Sequence, residues 1–441
     1  MNFDESLAYL LTLGNEVSAM KLGLENIGKL LAALGNPKKK YFKVQIAGTN
    51  GKGSTCVFLD SICVSAGIKT GLFTSPHLIS ITERIKIDGQ EISEKDFARH
   101  ATKIREISED LVKKNQLEFV PTFFEQVTAI ALNAFAEAKI ELAILETGLG
   151  GRFDAVTAAN AEIVVITPID FDHQNILGET LAEIAAEKAA IIRKDTRVIA
   201  VPQKREAENV IYEKCREVGV EPVWAIPNVK LIEDLGGGLL YLSFTTKKTN
   251  YKVDFGMLGK HQWTNATLAI NAAEILRDFN FKITKECIEN GLETAEHKGR
   301  LEFWVNADGS SILFDGAHNA AGAKALKEYL DEFTEQPVTM IFGAMRDKDL
   351  SEIAEMLFPK AEFLIFTRPD SSRSSETAEL MKFVPKTFDR ANVFQTETVA
   401  EALRIAEKIS SDKNLICVTG SLYVVGEAQK LLNNKSENLK S

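Results

Sequence analysis

Short apolar runs alternate with helical segments through the first half of the chain. Residues 43–47 (KVQIA) form the first such run, and others lie at 142–145, 163–166 and 198–201. Apolar runs of this length between helices are typical of parallel strands buried on both faces. The pattern predicts an α/β domain whose mostly parallel sheet is covered by helices.

The pattern changes between Leu239 and Phe255, where β-branched and aromatic residues are interrupted by a polar turn. This predicts a hairpin in a small antiparallel sheet, an appendage to the first domain. Beyond the polar segment 297–300 (HKGR), the alternation of strands and helices starts again. The apolar runs there lie at residues 311–314, 338–342, 362–366 and 415–419. They predict a second, smaller α/β domain.

The composition is that of a folded protein with more than one core. A chain of 441 residues with 45% hydrophobic residues is expected to form two or three domains. The net charge of −10 argues against a general nucleic-acid surface. Five cysteines without CxxC spacing suggest neither a disulfide framework nor a zinc site. The acidic start and the lack of a membrane-length apolar run lead us to expect a cytoplasmic protein.

A glycine-rich turn, residues 48–55 (GTNGKGST), joins the first strand to a helix predicted from about Gly53 to Ala66. Backbone N–H groups, a helix N-terminus and Lys52 would all direct positive charge at phosphates there. The spacing is unusual, because Ile46 stands where the first glycine of the common motif would be and Gly53 separates the lysine from the hydroxyl. A plain connecting turn would leave several of these residues without a role, so we interpret the turn as a phosphate loop.

Two candidate metal ligands follow predicted strands. Glu146 comes directly after residues 142–145, and His173 lies in the segment 169–173 (IDFDH). Ligands of open α/β sheets gather at the carboxyl ends of strands, which favours both residues. Magnesium prefers oxygen ligands, so the residue types alone leave His173 equally interpretable as a hydrogen-bonded structural residue.

The loop 147–154 (TGLGGRFD) that follows Glu146 has two interpretations. It is either a flexible linker or a loop whose backbone approaches a substrate, with Arg152 as an anion contact. The residues do not separate these alternatives.

Two further candidates have ordinary explanations. Lys188 lies on the helix predicted over 181–192 and by default is a solvated lysine paired with Glu183 or Glu187. Asp315 follows a strand in FDGAHN, where it could accept hydrogen bonds at a ligand site or simply cap the next helix.

These motifs together resemble the folylpolyglutamate synthase and dihydrofolate synthase family of the Mur ligase superfamily. The resemblance runs through nearly the whole chain, in the blocks AGTNGKGST, TSPHL with TERI, ETGLGGRFDAVTAAN, DFDHQNILGETLAEIAAEKAAII, GKHQWTNATLAI, HKGRLE, FDGAHN and TGSLYVVGE. It implies a P-loop-type ATPase domain over residues 1–296 and a Rossmann-like ligase domain over 297–441.

The resemblance also implies roles for individual residues. ATP would be bound by Thr49, Asn50, Gly51, Lys52, Gly53, Ser54, Asn265, Arg300 and Asp315. Magnesium would be held by Ser75, Glu146 and His173, and Lys188 would be carbamylated. We expect catalytic roles for Lys52, Lys188 and His173, and substrate contacts from Arg84, Arg152 and His318. Pro168, Ile169 and Ala190 depart from the usual pattern without removing a reacting group.

The implied activity is ATP-dependent ligation of L-glutamate to folates, and also to dihydropteroate, through an acyl phosphate. The expected partners are therefore small molecules, with no nucleic acid or membrane, and we expect a monomer. One alternative is a synthase that acts on folates alone. A second is a cell-wall ligase, which would be expected to carry a further N-terminal domain before the first strand. A third, of another class, is a nucleotide-dependent switch protein, which would leave Lys188 and Asp315 without a task.

Overall fold

The computed structural model of the chain describes residues 1–14, 23–305, 311–410 and 414–438. Its strands are β1 Phe42–Ala47, β2 Thr70–Phe73, β3 Ile85–Ile87, β4 Gln90–Glu91, β5 Leu142–Glu146, β6 Ile163–Ile166, β7 Arg197–Ala200, β8 Pro222–Trp224, β9 Val229–Gly236, β10 Leu239–Thr245, β11 Asn250–Phe255, β12 Glu302–Val305, β13 Ser311–Phe314, β14 Val338–Phe342, β15 Phe363–Phe366, β16 Val393–Gln395 and β17 Leu415–Thr419.

The α-helices lie between these strands and at the start and end of the described chain. They are α1 Phe3–Thr12, α2 Glu25–Ala33, α3 Lys52–Ser65, α4 Glu94–Lys113, α5 Phe123–Ala138, α6 Gln174–Leu177, α7 Leu181–Ala189, α8 Arg205–Val218, α9 His261–Leu276, α10 Lys285–Thr294, α11 Ala320–Phe333, α12 Ser351–Leu357, α13 Thr377–Leu380, α14 Val399–Ile409 and α15 Leu422–Asn438. Among the described helices, none combines the length and the apolar character needed to cross a membrane.

The chain divides into two compact units. The first comprises Met1–Lys230, Ser243–Val253 and Trp263–Ala295, and the second comprises Leu231–Leu242, Asp254–Gln262 and Glu296–Ser441. Each unit takes residues from more than one stretch of the chain. The division into domains at residues 296 and 297 stays a prediction.

The first unit is built on an eight-stranded sheet in the order β4-β3-β2-β5-β1-β6-β7-β8. The strands from β2 to β8 in this order pair in parallel, and β3 and β4 add an antiparallel edge. The four apolar runs of the first half are confirmed as β1, β5, β6 and β7, each within one residue. The carboxyl ends of β1, β2, β5 and β6 therefore share one edge of the sheet, where a ligand is expected in this topology.

Helix ends in this unit follow local sequence signals. The helix α7 begins after Thr180, whose hydroxyl accepts from Glu183 N while the Glu183 carboxylate accepts from Thr180 N. This reciprocal arrangement satisfies two backbone donors at the helix start. The helix ends at Ala189, so the prediction of a helix extending to residue 192 was wrong at its C-terminus.

A three-stranded sheet has the order β11-β10-β9. The predicted hairpin is confirmed as β10 and β11, but the sequence pattern did not reveal β9. Nearly every residue of β9 is exposed, so its side chains show no alternation of buried and exposed positions.

The second unit contains a six-stranded sheet in the order β12-β13-β17-β14-β15-β16. The strands pair in parallel, except that β12 runs antiparallel to β13. Its core includes Met340, Phe342 and Phe366, which are at most 1% exposed. The predicted second α/β region is confirmed, and the short strands β12 and β16 at the two edges of the sheet were missed.

Candidate active site

The phosphate loop joins β1 to α3, and two of its glycines are required by close contacts. Gly51, the residue before α3, has a φ of 84°, and a Cβ there would overlap the Asn265 side chain. Gly48 has a φ of 152°, and a Cβ there would overlap the Thr167 hydroxyl. Both residues have backbone angles that side chains rarely adopt. A simple connecting turn does not explain this packing.

The loop is also tied to the segment that follows β6. Thr49 N donates to Pro168 O at 2.9 Å, and Asn50 N donates to the same oxygen at 3.2 Å. The Thr49 hydroxyl donates to Asp170 O at 2.9 Å and accepts from Asp170 N at 3.0 Å. These bonds fix the loop at the N-terminus of a 14-residue helix, an arrangement that suits phosphate groups.

Lys52 is the first residue of α3 and extends across the loop. Its Nζ donates to Gly48 O at 3.2 Å and to Thr49 O at 3.1 Å. The side chain is only partly buried, so the ammonium group can meet an anion that enters the loop. The cradle of glycines, the helix N-terminus and this cation fit a nucleotide triphosphate.

Lys188 is buried, and the interpretation as a surface lysine was wrong. It is 4% exposed, and its Nζ donates to Gly48 O at 2.8 Å. Burial, and secondarily the charge of Lys52, lower the pKa of Lys188 from 10.5 to about 7, against the opposing effect of Asp172. A substantial fraction of the amine is thus neutral near pH 7, which is the form that reacts with carbon dioxide.

Of the predicted metal ligands, Ser75 and Glu146 lie together. Glu146 is the last residue of β5, is 5% exposed, and accepts from Ser75 N at 2.9 Å. His173 precedes α6 with a φ of 50°, and its Nε2 lies 3.8 Å from Asp172 Oδ1. The described residues contain no group of three His, Cys, Asp or Glu side chains able to hold a metal. The carboxylate and hydroxyl suit magnesium, which commonly takes few protein ligands and completes its shell with water and substrate phosphates.

Arg84 is buried rather than open to solvent. It is 3% exposed, its Nε donates to His77 Nδ1 at 2.8 Å, and its guanidinium carbon lies 5.5 Å from the centre of the Phe123 ring. Burial, and secondarily the charge of Arg84, lower the pKa of His77 to about 3. The imidazole is therefore neutral and orients the guanidinium group. The substrate contact expected of Arg84 stays a prediction.

The loop 147–154 has defined contacts, so the interpretation as a flexible linker is wrong. Asp154 Oδ2 accepts from Leu149 N and its Oδ1 accepts from Val156 N, both at 2.9 Å. Burial raises the pKa of Asp154 to about 7, although these hydrogen bonds oppose the shift. Asp154 was not among the candidates. Its place just before the short helical turn Ala155–Ala159 is a capping signal that could have revealed it.

Within the second unit, Asp315, Arg300 and His318 are near neighbours. Asp315 accepts from Leu301 N and Ala317 N, both at 3.0 Å. Burial raises the pKa of Asp315 to about 6, and the charge of Arg300 opposes the shift. His318 Nδ1 lies 2.7 Å from Gly316 O and donates to it. The carboxylate thus holds its own loop, and its role toward a nucleotide stays a prediction.

Family models match most of both halves of the chain. The Mur ligase middle domain matches residues 46–273, and the Mur ligase glutamate ligase domain matches residues 299–422. With the phosphate loop on a parallel sheet and the second α/β region, these matches define the chain as an ATP-dependent ligase of the Mur type.

A dihydrofolate synthase/folylpolyglutamate synthase of Bacillus subtilis is 34% identical over 420 residues, which are 94% of this chain and 95% of the relative. The chain belongs to the dihydrofolate synthase/folylpolyglutamate synthase family. The fold agrees with a crystal structure of Mycobacterium tuberculosis folylpolyglutamate synthase complexed with ADP and AMPPCP, at a TM-score of 0.87, 29% identity and coverage of 97% of this chain and 98% of that one. A bifunctional Yersinia pestis enzyme complexed with AMPPNP and manganese has a TM-score of 0.81, 25% identity and coverage of 98% of each chain.

Proposed function

We propose that this enzyme uses ATP to join L-glutamate to folates and, at the same site, to dihydropteroate. The observation that carries the proposal is the buried Lys188, whose Nζ donates to Gly48 O of the phosphate loop. A switch protein that only hydrolyses ATP has no need for a buried lysine at this point. A ligase of this family does need such a lysine, because a carbamate formed on Lys188 would convert a cation into an anionic group beside the nucleotide.

The reaction requires activation of a carboxylate, because a carboxylate does not react with an amine at neutral pH. The γ-phosphoryl group of ATP moves to a carboxylate oxygen of the pterin substrate, and the bond to ADP breaks. The amine of glutamate, having lost a proton, then attacks the acyl carbon. A C–N bond forms, the C–O bond to phosphate breaks, and phosphate leaves.

The enzyme contributes mainly position and charge. Lys52 and the N-terminus of α3 stabilise the negative charge on the transferring phosphoryl group. Magnesium, when bound, neutralises phosphate charge, and Ser75, Glu146 and His173 are the residues that would hold it. The proposed nucleotide contacts are Thr49, Asn50, Gly51, Gly53, Ser54, Asn265, Arg300 and Asp315. Arg84 and His318 are proposed substrate contacts.

Loss of Glu146 or of His173, two of the three proposed metal ligands, should change the magnesium requirement. We expect Glu146→Gln and His173→Ala each to raise the magnesium concentration for half-maximal activity by about 10- to 100-fold, the usual cost of disturbing a metal site. The measurement is ligase activity over a magnesium titration at saturating ATP. Glu217→Gln, which removes an exposed carboxylate on α8, should leave the titration unchanged. A His173→Ala variant that loses thermal stability but keeps its magnesium dependence would show that the histidine is structural.

Both pterin substrates should be accepted. Acyl phosphate formation is the same chemistry at the carboxylate of dihydropteroate and of a reduced folate, so we expect glutamate-dependent phosphate release with each. The assay compares dihydropteroate with tetrahydrofolate, with and without L-glutamate. Release with tetrahydrofolate alone would identify a monofunctional synthase, and release that requires a UDP-linked sugar peptide would identify a cell-wall ligase.

We propose further that the enzyme acts as a monomer in the cytoplasm, on small molecules and without a nucleic-acid or membrane partner. The net charge of −10 supports the absence of a nucleic-acid surface. The proposed ATPase domain is residues 1–296, and the proposed ligase domain is residues 297–441.

A further inference from the structure

The loop 147–154 lies directly against the last turn of α7, the helix that carries Lys188. Arg152 N donates to Glu187 O at 2.9 Å. A Cβ on Gly151 would lie 2.7 Å from Glu187 O and 3.1 Å from Lys188 O. The loop backbone is therefore in contact with the carbonyl groups of this turn, and a side chain at residue 151 would push the two apart.

This contact caps the C-terminal end of α7. The last carbonyl groups of a helix have no partner within the helix, and a cation near them is favourable. Arg152 supplies both a hydrogen-bond donor and a positive charge at this helix end. Its backbone N–H satisfies Glu187 O, and its guanidinium Nε donates to Glu187 Oε1 at 2.8 Å, with Nη2 at 3.5 Å from Ala186 O. The arginine thus binds the residue that directly precedes Lys188.

The loop is itself rigidly held, so it can impose a position on the helix. The Asp154 carboxylate accepts from Leu149 N and Val156 N, and the Thr157 hydroxyl donates to Gly151 O at 2.8 Å. The helix α7 has only nine residues, and the Nζ of Lys188 must reach Gly48 O on the phosphate loop. A small shift of so short a helix would move Nζ out of this contact, and reactive groups tolerate such shifts poorly.

We propose that Arg152 is a positioning residue for Lys188 and not a substrate contact. Together with Gly151, it fixes the end of α7 so that the Lys188 amine is held against the phosphate loop in the place where its carbamate is needed. This inference rests on the function proposed for Lys188. It gives the loop 147–154 a role other than binding glutamate or the pterin.

The test is the bicarbonate requirement of Arg152→Gln. We expect the bicarbonate concentration for half-maximal ligase activity to rise about tenfold, the lower end of the effect of losing a group that orients a reactive residue. The KM values for glutamate and for the folate should not change. Arg152→Lys, which keeps the positive charge beside Glu187, should recover part of the loss. Carbamate occupancy is read directly from the ¹³C signal of enzyme equilibrated with ¹³C-bicarbonate.

Three further variants make the test more specific. Glu187→Gln should show the same bicarbonate effect, and the double variant should be no worse than either single one, because both changes break one interaction. The matched control is Arg99→Gln. Arg99 on α4 forms a similar pair with Glu137 on α5, with Nη1 2.6 Å from Oε1 and both side chains about half exposed. This variant should have an unchanged bicarbonate requirement.

The outcomes separate this inference from the proposed function. A wild-type enzyme without a ¹³C carbamate signal would contradict the modification of Lys188 itself. A wild-type enzyme with the signal, and an Arg152→Gln variant with the same occupancy at every bicarbonate concentration, would overturn the positioning role. A raised KM for glutamate or folate in Arg152→Gln, with Glu187→Gln normal, would overturn it too and make Arg152 a substrate contact. If Arg152→Gln fails to fold, Glu187→Gln decides by the same ¹³C measurement.

Discussion

Replacement of Lys188 by alanine should reduce kcat by about 100- to 1000-fold, the usual cost of removing one charge-stabilising group from an active site. The residue is buried and its Nζ bonds to the phosphate loop, so no other group can move into its place without rearrangement. A short carboxylate such as acetate should restore part of the activity, because it supplies the oxygens that the carbamate would have provided. The measurement is steady-state ligation with and without added carboxylate.

The same residue gives the reaction a pH dependence. Burial lowers the pKa of Lys188 from 10.5 to about 7, so the amine becomes protonated as the pH falls through about 7. Only the neutral amine forms a carbamate, and activity at a fixed concentration of dissolved carbon dioxide should therefore fall below that pH and level off above it. Raising the carbon dioxide concentration should shift the fall to lower pH.

The control for Lys188 is Lys194→Ala, which removes an exposed lysine a few residues beyond α7. This variant should keep full activity and show no response to acetate. Full activity of Lys188→Ala would remove the lysine from the mechanism. A Lys188→Ala enzyme that is inactive, folded and not rescued by any carboxylate would support a role for the amine without the carbamate.

Replacement of Lys52 by alanine should abolish ATP-dependent ligation, with a loss of at least about 1000-fold, while the protein stays folded. Lys52 is the cation of the phosphate loop. The hydrogen bonds described for its Nζ go to two carbonyl oxygens of the loop, Gly48 O and Thr49 O. Its loss would remove charge stabilisation from the transferring phosphoryl group and cost the fold little. Phosphate release and ADP formation, measured together with thermal unfolding, would check both parts.

An exposed lysine on α4 provides the comparison, since Lys95→Ala should leave turnover and stability unchanged. Near-normal turnover of Lys52→Ala would contradict the assignment of the phosphate loop. Loss of stability in Lys52→Ala equal to the loss of activity would instead show that the lysine mainly holds the loop together.

The sequence alone determined the parts of the fold in which residue type reflects the local burial or the local backbone conformation. The strands β1, β5, β6 and β7 are continuous apolar runs because both faces of a parallel sheet are buried. The phosphate loop could be recognised from its glycines, because Gly48 and Gly51 have positive φ angles that few other residues adopt. By contrast, β9 is almost wholly exposed, and no pattern of side chains marks an exposed strand.

Only the tertiary structure shows where Lys188, Arg152 and His77 lie and which groups they contact. In the sequence Lys188 follows Glu187 on an amphipathic helix, and nothing local distinguishes it from a surface lysine. In the fold, Ile184, Ala185 and Ala189 of the same helix belong to a buried cluster with residues of β6, β7 and α8, and Glu187 forms an ion pair with Arg152. That leaves Lys188 directed at a loop 140 residues earlier in the chain. The physical reason is that burial and partners depend on contacts between distant segments, whereas sequence periodicity records only which face of an element is apolar.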